Sequence, residues 1–281
     1  MEHLIDELIR LAFAEDIGDG DVTTLCCIPP NEAGVAQLLV KEQGVLAGVN
    51  IAERIFRTFD PEMKVFVFIN DGERVNYGDI AFRVEGKVQS LLQTERLVLN
   101  VMQRMSGIAT TTRRYVDAIS GTQARVLDTR KTTPGMRLLE KEAVRIGGGF
   151  NHRIGLFDMI LLKDNHIDFA GGIAQAINKA RAYLGKTGKD LKIEIEVRSF
   201  AELDEVLATG GVDRIMLDNF SVDDTRRAVN RINKRYETES SGGITFESLL
   251  DYAQTGVDYI SVGALTHSVK SLDMSLKKTA V

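Results

Sequence analysis

Seven lysines and arginines crowd into the stretch Asp128 to His166, DTRKTTPGMRLLEKEAVRIGGGFNHRIGLFDMILLKDNH: Arg130, Lys131, Arg137, Lys141, Arg145, Arg153 and Lys163. Two of the four histidines, His152 and His166, lie there as well. The chain as a whole has a formal net charge of −5, so this cation density is local. Cations set beside glycine turns and short apolar strands describe a pocket for an anion, with a solvated basic surface as the plainer alternative.

The rest of the C-terminal half supplies partners for such a pocket. After Gly121, short apolar strands alternate with helical runs. Repeated β–α units predict a parallel sheet with right-handed crossovers. Six such strands point to a partial barrel, with a doubly wound open sheet as the alternative. A barrel carries its chemistry at the C-terminal strand ends. Here Val126-Leu127 runs into Asp128, Arg130 and Lys131, Ile160-Leu161-Leu162 into Lys163, and Ile215-Met216-Leu217 into Asp218. The strand from Lys192 to Val197 alternates Ile193, Ile195 and Val197 with Glu194 and Glu196. Period two puts both carboxylates on one face: the barrel interior, where they need cations or a metal, with a solvent-exposed edge strand as the plainer alternative. Glu196 with Asp218 would suit Mg²⁺ or sugar hydroxyls. Two glycine loops, Ser241-Gly242-Gly243 and Gly263-Ala264 with His267 nearby, follow the last two strands, where barrel enzymes bind phosphate. Gly147-Gly148-Gly149 has no preceding strand and reads as a turn toward His152-Arg153.

The N-terminal part has a different grammar. Residues 1–14 carry an apolar stripe at helical spacing, and EDIGDGDVTTLCCIPP reads as a turn whose acids do not fit a calcium loop. Residues 34–87 are strand-rich around one helix, and 90–119 are helical, with Gly107 read as a break between two helices. By pattern alone Arg96 is an ordinary solvated helix residue. The fold expected is an α/β chain: an N-terminal α+β sandwich domain over 1–119, then an incomplete, six- or seven-stranded parallel α/β barrel over 120–268. A tail, 269–281, returns to the first domain.

Composition narrows the classes. No apolar run reaches the ~18 residues of a membrane helix, and the acidic, amphipathic start is unlike a signal peptide. The absence of a basic tail and of Trp argues against nucleic acid. Cys26 and Cys27 are adjacent and show no zinc spacing, which fits a cytoplasmic protein.

The central stretch, with EDIGDGDVTT, ERLVLNVMQRMSGIAT, IEIEV, MLDNF, ESSGGI and SVGALTHS, resembles the quinolinate phosphoribosyltransferases, in order and over nearly the whole chain. Departures are small: Thr94 and Ser240 stand where a small residue and Ala are common in that family. The resemblance implies transfer of phosphoribosyl from phosphoribosyl pyrophosphate to quinolinate with decarboxylation, in de novo NAD biosynthesis, with Mg²⁺ as cofactor. It also implies a homodimer in which Arg96 reaches the partner's site. By the same resemblance Arg130, His152 and Arg153 would bind the quinolinate carboxylates, and Lys131 and Lys163 would neutralise both substrates. Glu196 and Asp218 would face the ribose and the metal. Ser241, Gly242, Gly243, Gly263, Ala264 and His267 would surround the 5′-phosphate. Arg137, Lys141 and Arg145 fall at helical spacing and stay outside this set.

Overall fold

The structure is a computed structural model that describes residues 1–279. Along the chain come α1 (His3–Ile17), α2 (Val22–Cys27), β1 (Ala33–Val40), β2 (Gly44–Val45), α3 (Val49–Phe59), β3 (Lys64–Val67), β4 (Arg74–Val75), β5 (Ile80–Lys87) and α4 (Val88–Ala118). There follow β6 (Arg125–Leu127), α5 (Arg137–Ile146), β7 (Ile160–Leu162), α6 (Asp164–Ala170), α7 (Ile173–Thr187), β8 (Ile193–Val197), α8 (Phe200–Thr209) and β9 (Arg214–Asp218). The last are α9 (Val222–Ile232), β10 (Glu237–Ser241), α10 (Leu249–Ala253), β11 (Tyr259–Ser261), α11 (Ala264–His267) and β12 (Met274–Lys278). Packing divides the chain into two units. One holds residues 1–113, 132–148 and the tail from 264; the other holds 114–131 and 149–263. The sequence suggested one boundary near residue 120; the helix after the first barrel strand belongs instead to the first unit.

The first unit contains a four-stranded antiparallel sheet in the order β12-β1-β5-β3. Alternate residues of its strands, Leu38, Val40, Phe82 and Val84, are fully buried with Ile55 and Phe56 of α3. The Phe56 and Phe82 rings meet edge to face at 5.9 Å. Two local expectations change. The acidic turn contains α2, started by Asp21, whose carboxylate accepts the Thr24 N–H at 3.0 Å. And Gly107 does not break a helix: α4 runs through it for 31 residues. Its glycine answers to packing, because a Cβ there would overlap the carbonyl oxygen of Lys270. Gly107→Ala gains ~1 kcal/mol of helix propensity but meets backbone that must shift, a cost of roughly 1–3 kcal/mol. Net destabilisation is expected, read as a lower urea midpoint at unchanged m-value; an unchanged or raised midpoint would show that the tail yields.

The second unit is a six-stranded parallel sheet in the order β6-β11-β10-β9-β8-β7. The first and last strands in sequence, β6 and β11, are neighbours, so the strands curl into the incomplete barrel expected. Among the described residues no pairing joins β6 to β7, and the ring is open there; an isolated parallel bridge ties Leu127 to Phe150. The basic stretch is inserted into the chain at this gap. No helix among the described residues is long and apolar enough to cross a membrane.

Candidate active site

Strand periodicity sorts the side chains of the second unit. Ile193, Ile195 and Val197 of β8 and Ile215 and Leu217 of β9 join Ile177 of α7 and Leu203 of α8 in one apolar core. Glu194 and Glu196 therefore face the space enclosed by the strands, as the alternation predicts. Arg214, Met216 and Asp218 share that face on β9, and Glu237, Glu239 and Ser241 on β10. The register sets their heights. Glu194 and Glu237 lie beside Arg214, Glu196 and Glu239 beside Met216, and Ser241 beside Asp218 at the C-terminal ends.

The floor is a dense charge cluster. His152 Nε2 lies 3.1 Å from Glu194 Oε2 and 3.5 Å from Glu239 Oε2. From the other side an Arg214 amino group lies 3.1 Å from Glu239 and 3.8 Å from Glu194. Both carboxylates are completely buried. Burial pushes Glu239 up to about 8, helped by Glu194 and opposed by His152 and Arg214. Burial likewise raises Glu194 to about 7, against the pull of Arg214. His152, Glu194 and Glu239 have the donor set of a metal site, with ligand atoms within 4.8 Å of one another. Arg214 already brings a fixed positive charge there.

The mouth holds the other charged residues. Burial raises the pKa of half-buried Glu196, the neighbouring Asp218 raises it further, and Lys163 lowers it. Asp218 is raised by burial and lowered by a 2.7 Å hydrogen bond from the Asn219 amide and by Lys163 and Lys131. So Lys163 acts through space on both Glu196 and Asp218, and Lys131 on Asp218. Lys163, exposed, caps α6, and its N–H donates to His166 Nδ1 at 3.0 Å. The glycine loop closes over this corner: Ser241 C=O accepts the Asn219 N–H at 2.8 Å, and Gly242, at φ +93°, has no room for a Cβ beside the Asn219 side chain.

Arg130 and Arg153 form the cationic wall. The Arg130 Nε–H is shut away from water and donates to no protein group. Burial and the charge of Arg130 pull the Arg153 pKa down, partly offset by Glu194 and Asp158. Arg153 is steadied by a 3.1 Å hydrogen bond to the Met159 carbonyl, and the loop beyond it by Asp158, which accepts the Ile154 and Gly155 N–H groups at 2.7 and 2.8 Å. His152, expected at the substrate carboxylates, turns its ring to the floor: Nδ1 accepts the Arg153 N–H at 2.7 Å while Nε2 faces the glutamates. Gly263 is half-buried just beyond the end of β11. Arg96, exposed on α4, and Ala264 and His267, in α11, belong to the first unit. Arg145 is exposed and paired with Glu142, Arg137 donates to Thr132 Oγ1 at 3.0 Å, and Lys141 is buried.

The two halves of the chain match family models for the quinolinate phosphoribosyl transferase N-terminal domain, over residues 21–106, and C-terminal domain, over 108–277. The chain belongs to the quinolinate phosphoribosyltransferase family. Quinolinate phosphoribosyltransferase [decarboxylating] 1b of Nicotiana tabacum is 48% identical, over 96% of this chain and 81% of its own. The probable nicotinate-nucleotide pyrophosphorylase [carboxylating] of Bacillus subtilis is 44% identical, over 99% and 95%. The crystal structure of NadC from Streptococcus pyogenes superposes with a TM-score of 0.92 at 41% identity, covering 100% of this chain and 99% of that one.

Neither Arg214 nor Glu239 lies in a motif that marks it as an interior residue. Counting back by twos from Asp218 and Ser241 reaches both. Arg104 of the first unit also went unnoticed. It donates to the buried Glu140 carboxylate at 2.8 Å, to Thr133 Oγ1 at 3.2 Å and to the Thr266 carbonyl at 2.7 Å. An arginine inside a helix carries no sequence signal for such a brace.

Proposed function

We propose that this chain transfers the phosphoribosyl group of phosphoribosyl pyrophosphate to quinolinate and releases pyrophosphate and CO₂, forming nicotinate mononucleotide in de novo NAD biosynthesis. The observation that carries this reading is the Arg130–Arg153 wall: a buried N–H with no acceptor, beside a second guanidinium whose charge it disfavours. Two adjacent carboxylates on one pyridine ring meet that need, and guanidinium forks bind carboxylates with paired hydrogen bonds. Arg96 joins from the partner of a homodimer, and His152 forms the floor beneath Arg153.

The charges set the chemistry. Lys131 and Lys163 neutralise the pyrophosphate as the C1–O bond opens through a cationic ribose. Glu196 and Asp218 face that ribose. They are also the residues that would hold Mg²⁺, since the Asp218 charge raises the Glu196 pKa and a bound cation would relieve it. Bound Mg²⁺ supplies further neutralisation of the leaving group. Clamped by its carboxylates, the substrate directs its ring nitrogen at C1. The resulting pyridinium stabilises the carbanion left as the adjacent carboxylate departs as CO₂, and a proton from solvent at that carbon completes the product. Ser241, Gly242, Gly243 and Gly263 receive the 5′-phosphate. Two neighbouring thiols with no disulfide partner suit the cytoplasm.

CO₂ release and mononucleotide formation from quinolinate, with no turnover of nicotinate, are the expected results. Turnover of nicotinate alone would select a non-decarboxylating phosphoribosyltransferase. A borohydride-trapped adduct on Lys163 would select a Schiff-base enzyme. Phosphoribosyl pyrophosphate binding without any turnover would select a non-catalytic relative.

A further inference from the structure

We infer that Glu194 and Glu239 are positioning residues for dicarboxylate recognition: they fix the His152 imidazole and, through it, the backbone of Arg153. The inference rests on the proposed role of Arg153 at a quinolinate carboxylate.

The chain of contacts is continuous. Asp128, buried just past β6, accepts the His152 N–H at 2.9 Å and fixes the backbone on one side of the ring. His152 Nδ1 accepts the Arg153 N–H at 2.7 Å, so its lone pair is used and the ring proton lies on Nε2. That edge of the ring lies in ion-pair range of two carboxylates, Glu194 at 3.1 Å and Glu239 at 3.5 Å. A ring turned over would set N–H against N–H at Arg153 and a lone pair against two carboxylates, so the glutamates choose both tautomer and orientation. Arg214, 3.1 Å from Glu239 and 3.8 Å from Glu194, offsets part of the repulsion between the two carboxylates. It is itself held by Glu237 at 3.1 Å and lies 4.1 Å over the Tyr259 ring. Arg153 is therefore tethered twice, by its own N–H on His152 and by its guanidinium on the Met159 carbonyl.

An apolar side chain would fill these two positions without burying charge. What only a carboxylate or carboxamide supplies there is an acceptor in a fixed direction. The donor set also resembles a metal site, but the positive charge it calls for is already present in Arg214.

The test uses the full-length protein with Glu194→Met, Glu239→Met, Glu194→Gln and Glu239→Gln. Methionine keeps volume and removes the acceptor; glutamine keeps an acceptor oxygen. The methionine variants should raise the KM for quinolinate about tenfold or more, with the KM for phosphoribosyl pyrophosphate within about twofold, because misplacing a clamp affects one substrate. The glutamine variants should restore most of the loss. Equal changes in both KM values, or none in folded methionine variants, would overturn the inference. Nitrogen-15 NMR of labelled histidine in the unaltered protein gives a reading that no folding defect can obscure. His152 should be the Nε2–H tautomer; an Nδ1–H tautomer, or a tightly retained stoichiometric transition metal, sinks the idea. If the unaltered protein fails to turn over quinolinate, the proposed reaction is what fails, and the tautomer still reports on the hold over Arg153.

Discussion

Replacing Lys163 with alanine is expected to lower kcat by about a hundred- to a thousand-fold, the usual loss when one preorganised group facing developing charge is removed. Lys163 stands at the C-terminal end of β7, and its charge lowers the pKa of both Glu196 and Asp218. Its loss should act twice. The departing pyrophosphate loses a cation, and the two carboxylates lose a neighbour that favours their ionised forms. Both then hold protons to higher pH, so the acid limb of the kcat/KM profile should move upward. The KM for quinolinate should change little, since the proposed binding mode gives its carboxylates to the arginines. A kcat within about threefold of the unaltered enzyme would remove Lys163 from the chemistry.

The second large effect is expected for Arg153→Ala. Truncating one member of a desolvated charge pair costs about 2–5 kcal/mol, so quinolinate affinity should fall on the order of a hundredfold or more. Titration calorimetry with quinolinate alone reads this directly, because the first substrate contact is what is lost. Lysine should rescue poorly, since a point charge cannot reproduce the fork or reach the Met159 carbonyl in the same geometry. The same variant tests the shared site. Mixing Arg96→Ala with Arg153→Ala subunits should regenerate about a quarter of the sites if each site takes one arginine from each chain of a two-fold dimer. No recovery after verified subunit exchange would confine each site to one chain.

Much of this arrangement was legible in the residues themselves. Alternation on β8 alone puts Glu194 and Glu196 inside, because a parallel barrel strand must give its other face to the helices. The basic stretch suggested an anion site, since an acidic chain concentrating its cations needs a reason; of its cations, Arg130 acts electrostatically on Arg153, whereas Arg137, Lys141 and Arg145 belong to the first unit. What escaped notice depends on contacts made far along the chain. Gly107 resembles a helix break until the carbonyl of Lys270 is found against it. The surroundings of the His152 ring are equally invisible in sequence: Nδ1 accepts the N–H of its own neighbour, and Nε2 lies beside Glu194. Arg214 begins a strand and seems ordinary until the register sets it beside Glu194 and Glu237. Short-range pattern reports which face a side chain is on; it does not report what waits on that face.

The strand order of the first unit has a consequence for how the chain is made. β12 completes the sheet by pairing with β1, from Ala36 opposite Lys278 to Val40 opposite Met274. On the ribosome β1 emerges early, and its partner follows only after the second unit has been synthesised. At ~5–20 residues per second, that interval is on the order of ten seconds or more. Throughout it β1 has β5 on one flank and a bare row of N–H and C=O groups on the other. The nascent protein therefore passes through a stage with a sticky, unfinished edge, closed last and across a long loop of chain.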